Sequence, residues 1–186
     1  MIWNLLLAAI PAIFAVGLFT NATRRGVVWW LGLATWVLFL PNAPYLLTDI
    51  VHMVHDLRVA PSDARAYLVI ATYCALFAFG LASYAFSLQL FRRFLHRTVR
   101  ARLVAPAIVL VHGLCVLAMF LGRFVRLNSW DAVLAPQRVA LSVLRVPRPF
   151  TVAVLAAMFV VVGVGAFATA AIGDKVLAHA RRWKPL

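Results

Sequence analysis

The run VVWWLGLATWVLFLPNAPYLLTDIVHMVHD, residues 27–56, contains the pattern that decides the fold class of this chain. Its first part, residues 27–47, is almost wholly apolar, and about 20 such residues are what an α-helix needs to cross the hydrocarbon core of a bilayer. The chain as a whole has the same character, since 65% of its 186 residues are hydrophobic and its mean hydropathy is +0.96. Because soluble domains are roughly 45–50% apolar, the composition predicts an integral membrane protein.

Several other runs share this length and apolar character. The candidate spans are residues 2–20, 27–47, 66–91, 103–122 and 151–172. They are continuously apolar rather than alternating, which argues for helices and against a transmembrane β-barrel. We therefore predict an all-α, polytopic membrane helix bundle with about five transmembrane helices. Its length favours one integral membrane domain over residues 1–186.

The charge of the chain is strongly basic, with 18 Lys and Arg against five Asp and a formal net charge of +13. In a membrane protein, basic residues flank the spans and meet anionic headgroups. We therefore expect the lipid bilayer as a partner and no nucleic acid. Eleven of the basic residues lie outside the spans on the side of the C-terminus, against seven on the other side. The positive-inside rule then predicts a cytoplasmic C-terminus and an external N-terminus.

Two polar stretches follow the second and fourth spans, at residues 40–56 and 122–131. Two crossings of the membrane separate them, so both must emerge on the same face. Four of the five acids share that face with seven arginines. The sequence therefore predicts that the two stretches form a joint polar site at one rim of the bundle.

The first stretch opens with a proline-asparagine turn. Pro41 and Pro44 cannot donate to the helical amide ladder, which predicts a kink or break of the second span near residues 40–43. Asn42 is expected to cap the renewed helix, with Pro44 in its first turn.

Beyond this turn, the ionisable residues are spaced for one helical face. At about 100° per residue, Asp49, His52 and Asp56 share a stripe that His55 borders, with Tyr45 about 40° from Asp49. Asp49, His52 and Asp56 are reasonable ligands for a divalent metal, or could form an acid/base pair. The alternative is an interfacial helix end whose polar face meets water.

The second stretch begins with Arg123 and Arg126, which face one way if they are helical. Unpaired charges at this depth are costly, so ion pairs with Asp49 and Asp56 are expected. The alternative is that one arginine is left to hold an anionic substrate.

A new helix is expected to follow these arginines. Asn128 or Ser129 would cap it, with Asp131 in its first turn and Trp130 at the membrane interface. From there to residue 146, apolar and basic residues alternate around a proline, which predicts an amphipathic segment on the bilayer surface.

His112 is the ionisable residue in the middle of a predicted span. We expect a neutral imidazole that bonds to a neighbouring helix, and the alternatives are a metal, haem or proton-relay role. Gly163 and Gly165, in the last span, suit close contact between helices.

The stretches FLPNAPYLLTDIVHM and GRFVRLNSWD resemble a bacterial family of uncharacterised multi-span membrane proteins, domain-of-unknown-function family 1361, over most of the chain. The matching positions are Pro41, Asn42, Tyr45, Asp49, His52, Gly122, Arg123, Arg126, Asn128, Ser129, Trp130 and Asp131. The resemblance implies a bacterial cytoplasmic (inner) membrane protein. It implies no activity, but its motifs coincide with the two polar stretches and so support a shared site.

Three functions fit these features. The first is a binding or accessory protein, in a homo-oligomer or beside another membrane protein. The second is a metal-assisted or acid/base hydrolase or transferase that acts on an anionic substrate. The third is a small transporter or channel subunit, which the few polar residues at mid-membrane disfavour. The candidate catalytic residues of the second are Asp49, His52, Arg123, Arg126 and Asp131.

Overall fold

The structure, a computed structural model, describes residues 2–20, 25–127, 130–146 and 148–182, and all the regular secondary structure in these ranges is helical. Four helical segments are long and apolar enough to cross a membrane: Val27–Arg58, Asp63–Thr98, Ala101–Val125 and Pro149–Lys175. The first predicted span forms a fifth apolar helix, which is shorter than these four. The predicted all-α helix bundle is thereby confirmed.

The long segments contain shorter helical elements. In chain order the helices are α1 (Ile2–Phe19), α2 (Val27–Phe39), α3 (Asn42–Tyr45), α4 (Ile50–Arg58), α5 (Asp63–Thr98), α6 (Ala101–Phe120), α7 (Asp131–Leu134), α8 (Pro136–Leu144) and α9 (Pro149–Arg182). A 3₁₀ turn (Leu46–Asp49) joins α3 to α4, and a π-helical turn (Leu121–Val125) continues α6.

Helix α1 packs against α2 and α5 along a stripe of small residues. Ala8 and Ala15, two turns apart on α1, are fully buried. Small side chains allow helix backbones to approach closely, and here the Ser83 hydroxyl of α5 donates a hydrogen bond of 2.6 Å to the Ala8 carbonyl. Since this bond is buried between the two helices, it fixes their relative register.

An aromatic cluster marks one end of the bundle. The ring of Phe19, at the end of α1, lies 5.0 Å from that of Trp36 and 5.3 Å from that of Phe94, measured between centroids. The Arg25 guanidinium lies 5.6 Å from the Trp29 ring and 5.1 Å from the Phe94 ring, in the range of cation–π attraction. The end of α1, the beginning of α2 and the end of α5 therefore meet here. The beginning of α1 and the end of α2 lie at the opposite end of the bundle, which holds the polar stretches.

The expected break in the second span occurs, but Asn42 has a different role from the one predicted. Helix α2 ends at Phe39 and α3 begins at Asn42, with Pro41 at the N-cap position. The Asn42 side-chain amide donates a hydrogen bond of 3.0 Å back to the Phe39 carbonyl. The Ala43 N–H, which would bond to Phe39 in a continuous α-helix, bonds to the Leu40 carbonyl instead. The Asn42 side chain therefore occupies the Phe39 carbonyl, and the predicted N-cap role of Asn42 is corrected, since Pro41 is at the N-cap.

The segment after this break packs tightly on α5. A Cβ atom added to Gly80 would collide with the carbonyl oxygen of Ala43 and would lie 3.2 Å from side-chain atoms of Leu46. Gly80 is buried, as are Ala43 and Leu46. The absence of a side chain at position 80 is what lets α3 rest on α5, and this contact sets the position of the polar residues that follow.

Candidate functional site

The ends of α2 and α6 meet at the polar end of the bundle. A Cβ atom built on Gly122 would lie 3.5 Å from Cε2 of Tyr45, which is ordinary van der Waals contact. Gly122 belongs to the second polar stretch and Tyr45 to the first. The two stretches are therefore neighbours in the structure.

A cavity of about 530 Å³ opens beside this contact, within the range of roughly 300–1,000 Å³ that is usual for small-molecule sites. Its walls come from α1, the end of α2, α3, α6 and the segment from the π-helical turn to α8. The lining residues include Trp3, Asn4, Leu7, Val37, Leu40, Asn42, Tyr45, Val111, Leu114, Cys115, Ala118, Met119, Gly122, Arg126, Trp130 and Val139.

Helix α6 supplies one whole wall of the cavity. Val111, Leu114, Ala118 and Gly122 recur at the spacing of one helical face, and all four line the cavity. Leu114 is 48% exposed, so this wall is open along its side. At 1.5 Å per residue the stripe from Val111 to Gly122 is about 16 Å long. The cavity is thus an elongated apolar cleft that follows α6.

The rim of the cleft is polar and carries a positive charge. Asn42, Tyr45 and Trp130 line it with Arg126. Among the residues that the structure describes, Arg126 is the one charged side chain in this lining. The rim therefore favours an anionic group.

Arg126 has an unusual backbone. Its φ of 61° and ψ of 38° place it in the left-handed helical region, where it ends the π-helical turn. That conformation is favoured by glycine and costs other residues of the order of 1–3 kcal/mol. Arg123 does not line the cavity, although equal spacing on an α-helix would have placed both arginines on one face. The π-helical turn and the left-handed residue change the direction of the chain between them, and so only one of the pair faces the cleft.

Asp49 lies outside the cavity lining and bonds to a residue of that lining. Its side chain is only 5% exposed, and its Oδ2 accepts a hydrogen bond of 3.4 Å from the Asn4 amide, which lines the cavity. Asn4 is a polar residue inside the apolar run of residues 2–20, and this isolated position is the sequence signal that could have indicated it. Asp49 is therefore placed to orient a lining side chain rather than to touch a ligand itself.

Asp56 pairs with α5. Its Oδ2 accepts a hydrogen bond of 2.9 Å from the Tyr73 hydroxyl. The expected ion pairs are replaced by these contacts, because the described partners of Asp49 and Asp56 are Asn4 and Tyr73. Hydrogen bonds to neutral groups on neighbouring helices satisfy the carboxylates without an arginine.

The stripe that was expected to hold a metal is not assembled. His52 is exposed, whereas Asp49 is buried and Asp56 is half-buried against α5. In the described part of the chain, no three His, Cys, Asp or Glu side chains form a group that could hold a metal ion. The 3₁₀ turn also rotates Tyr45 away from Asp49, since it advances about 120° per residue instead of 100°.

The segment over the rim begins with Trp130 at the N-cap of α7, and Asp131 lies in the first turn of that helix as expected. The predicted caps, Asn128 and Ser129, lie outside the described residues. Helix α8 starts at Pro136 and buries none of its side chains, and its Leu141 and Leu144 are exposed. This pattern fits the predicted amphipathic segment on the bilayer surface.

His112 joins three helices. Its Nε2 lies 3.0 Å from the Phe159 carbonyl of α9, and its Nδ1 lies 2.7 Å from the Tyr84 hydroxyl of α5. A carbonyl can only accept, so Nε2 carries the proton and the neutral ring accepts from Tyr84 at Nδ1. Gly163 makes this approach possible, because a Cβ there would lie 3.3 Å from Nε2. Both ring nitrogens are occupied, which supports the structural interpretation over a metal or haem ligand.

The model of one protein family, described as protein of unknown function (DUF1361), matches residues 3–164. The chain belongs to this family. No curated protein and no solved structure matches the chain. For this DUF1361 protein the matched region contains every wall of the cleft, from Trp3 to Val139. The family description carries no activity, so function must be argued from the cleft itself.

Proposed function

We propose that this DUF1361 protein is a binding or accessory protein of the membrane, and that its ligand site is the cleft between α1, α2 and α6. The observation that supports the proposal is that both polar stretches line one cavity, with Tyr45 and Gly122 as neighbours beside it. Such a site combines long apolar walls with a few polar groups at one end, as small-molecule sites do.

Catalysis by Asp49, His52, Arg123 and Asp131 stays a prediction, and the geometry favours it less. Of the five candidate catalytic residues only Arg126 lines the cavity, and Asp49 is buried against Asn4. A reacting group would need to lie within hydrogen-bond reach of its acid or base. Binding requires only the walls and the rim that are present.

The proposal also covers the membrane, the orientation and the partner of the protein. The apolar helices place the protein in a lipid bilayer, in several passes. We propose the bacterial cytoplasmic membrane, with the N-terminus and the cleft rim outside and the C-terminus in the cytoplasm, because more basic residues lie on the C-terminal side. A second copy of the chain or another membrane protein is the proposed partner of an accessory role.

Filling the cleft should abolish ligand binding. The delipidated protein in detergent is mixed with palmitic acid, phosphatidylglycerol and phosphatidylcholine, and its adducts are counted by native mass spectrometry. We expect a one-molecule adduct of the unaltered protein that is at least tenfold less abundant in Ala118→Trp, because the indole would fill the middle of the α6 wall.

Val109→Trp is the matched control. Val109 lies on α6 at about 180° from Ala118 and is 58% exposed, so a tryptophan there should leave the adduct intact. Equal adducts in all three proteins would contradict a site in this cleft.

A further inference from the structure

We propose that the cleft binds an anionic phospholipid of the bilayer, with one acyl chain along α6 and its phosphate at Arg126. This inference rests on the proposed binding role and adds the chemical class of the ligand. It follows from the shape of the cleft, from its opening and from the charge at its rim.

The shape of the cleft suits an acyl chain. The stripe from Val111 to Gly122 is about 16 Å long, which is half of the roughly 30 Å hydrocarbon thickness of a bilayer. The α6 wall consists of Val, Leu, Cys, Ala and Met side chains, and the polar lining residues come from the ends of the helices and the segments beyond them. A ligand that fits must therefore be apolar for the depth of one leaflet and polar at its head.

The cleft is open to the side, where lipid surrounds the bundle. Leu114 and Ala118 line the cavity and are both exposed. In a membrane, that exposed side faces lipid rather than water. An occupant can enter laterally from the adjoining leaflet, and this favours a bilayer lipid over a water-soluble ligand.

The charge at the rim selects an anion. Arg126 is the charged side chain of the described lining, and no carboxylate of the described residues belongs to it. The free carbonyl groups at the ends of α2 and α6 would repel an anion. At the end of α6 the Leu121 carbonyl is not free, because it accepts hydrogen bonds from the backbone N–H groups of Arg126 and Leu127. The first turn of α1, with Trp3 and Asn4 in the lining, adds the positive end of a helix dipole.

Other occupants fit these features less well. A zwitterionic lipid would place a cation near Arg126, and a free phosphate would leave the apolar wall empty. Arg126 can form two parallel hydrogen bonds with phosphate oxygens. We therefore expect charge-selective binding that also depends on the acyl chain.

The test compares lipids with identical chains. Delipidated protein in detergent is titrated with dioleoyl phosphatidylglycerol or dioleoyl phosphatidylcholine, and adducts are measured by native mass spectrometry. Both lipids carry the phosphate, so the difference comes from the choline cation of phosphatidylcholine, which the Arg126 guanidinium repels. We expect phosphatidylglycerol to bind about tenfold more tightly. Arg126→Gln should reduce this preference to twofold or less, whereas Arg126→Lys should keep part of it.

Two controls separate the contributions of charge and chain. Arg145→Gln removes an exposed arginine that does not line the cavity, and it should leave the preference unchanged. Ala118→Trp should reduce the binding of both lipids. A hundredfold excess of sn-glycerol 3-phosphate, the headgroup phosphate without chains, should fail to displace phosphatidylglycerol.

The outcomes distinguish this inference from the proposed function. An adduct that Ala118→Trp removes, but that shows equal affinity for both lipids, keeps the binding site and overturns the anionic ligand. The same preference in Arg126→Gln as in Arg145→Gln keeps the binding site and overturns the placement of the phosphate at Arg126. Displacement by sn-glycerol 3-phosphate would overturn the lipid and indicate a soluble phosphate compound. Adducts that are insensitive to Ala118→Trp would overturn both.

Discussion

Replacing Gly80 with alanine should destabilise the protein by about 1–3 kcal/mol, the usual cost of overpacking a core. The new Cβ would overlap the backbone carbonyl oxygen of Ala43 and press on Leu46. A backbone atom cannot rotate away as a side chain can, so α3 must move off α5. Since α3 carries Tyr45, we also expect the cavity rim to be displaced.

The chain contains a reporter for this measurement. Cys115 is buried and Cys74 is exposed, so in a Cys74→Ala background a thiol-reactive fluorophore reports the exposure of Cys115 on heating. The expected result is a lower unfolding temperature for Gly80→Ala than for its parent.

Gly17→Ala is the matched control for this substitution. A Cβ at Gly17 would have nothing within 4 Å, and alanine is the better helix former by roughly 0.8–1 kcal/mol. Its unfolding temperature should equal or exceed that of the parent. If Gly80→Ala and Gly17→Ala melt alike, the close packing of α3 on α5 is wrong.

Replacing His112 with alanine should cost about 3 kcal/mol, because it removes a buried side chain and leaves a buried partner without its hydrogen bond. The imidazole links α5 to α9 through Tyr84 and the Phe159 carbonyl. Tyr84→Phe removes only the donor to Nδ1, and it should cost about 1–3 kcal/mol. Thermal unfolding followed by circular dichroism checks both values, since Cys115 lies too near His112 to serve as the reporter.

His96→Ala is the control, because His96 is exposed in the last turn of α5. Its unfolding temperature should stay close to that of the unaltered protein. A His112→Ala protein as stable as His96→Ala would contradict the structural role and revive a functional one for the buried histidine.

Much of the architecture could be predicted from the sequence because apolar length is a direct signal in a membrane protein. The break after α2 followed from Pro41, and the helix start near Asp131 followed from the residue types around it. The placement of the two polar stretches on one face followed from counting crossings, which requires no knowledge of packing. These inferences rest on local chemistry or on topology.

The details of the site could not be predicted, because they depend on contacts between distant segments. Asp49 binds Asn4 across 45 positions of the chain, and Asp56 binds Tyr73 on the next helix. The helical-wheel argument assumed a uniform α-helix, whereas a 3₁₀ turn precedes Asp49 and a π-helical turn precedes Arg126. Each turn changes which residues share a face, and neither has a recognisable sequence pattern here.

The central claim, that the ends of α2 and α6 adjoin, is tested most directly by crosslinking Tyr45→Cys to Gly122→Cys. Both native cysteines are first replaced by alanine, and a short bis-methanethiosulfonate reagent is added to membranes that contain the protein. We predict an intramolecular crosslink, detected by peptide mapping. The control pair of Tyr45→Cys and Leu103→Cys should give none, since position 103 lies about 28 Å from position 122 along α6. No crosslink between positions 45 and 122, or an equal yield from the control pair, would contradict the account.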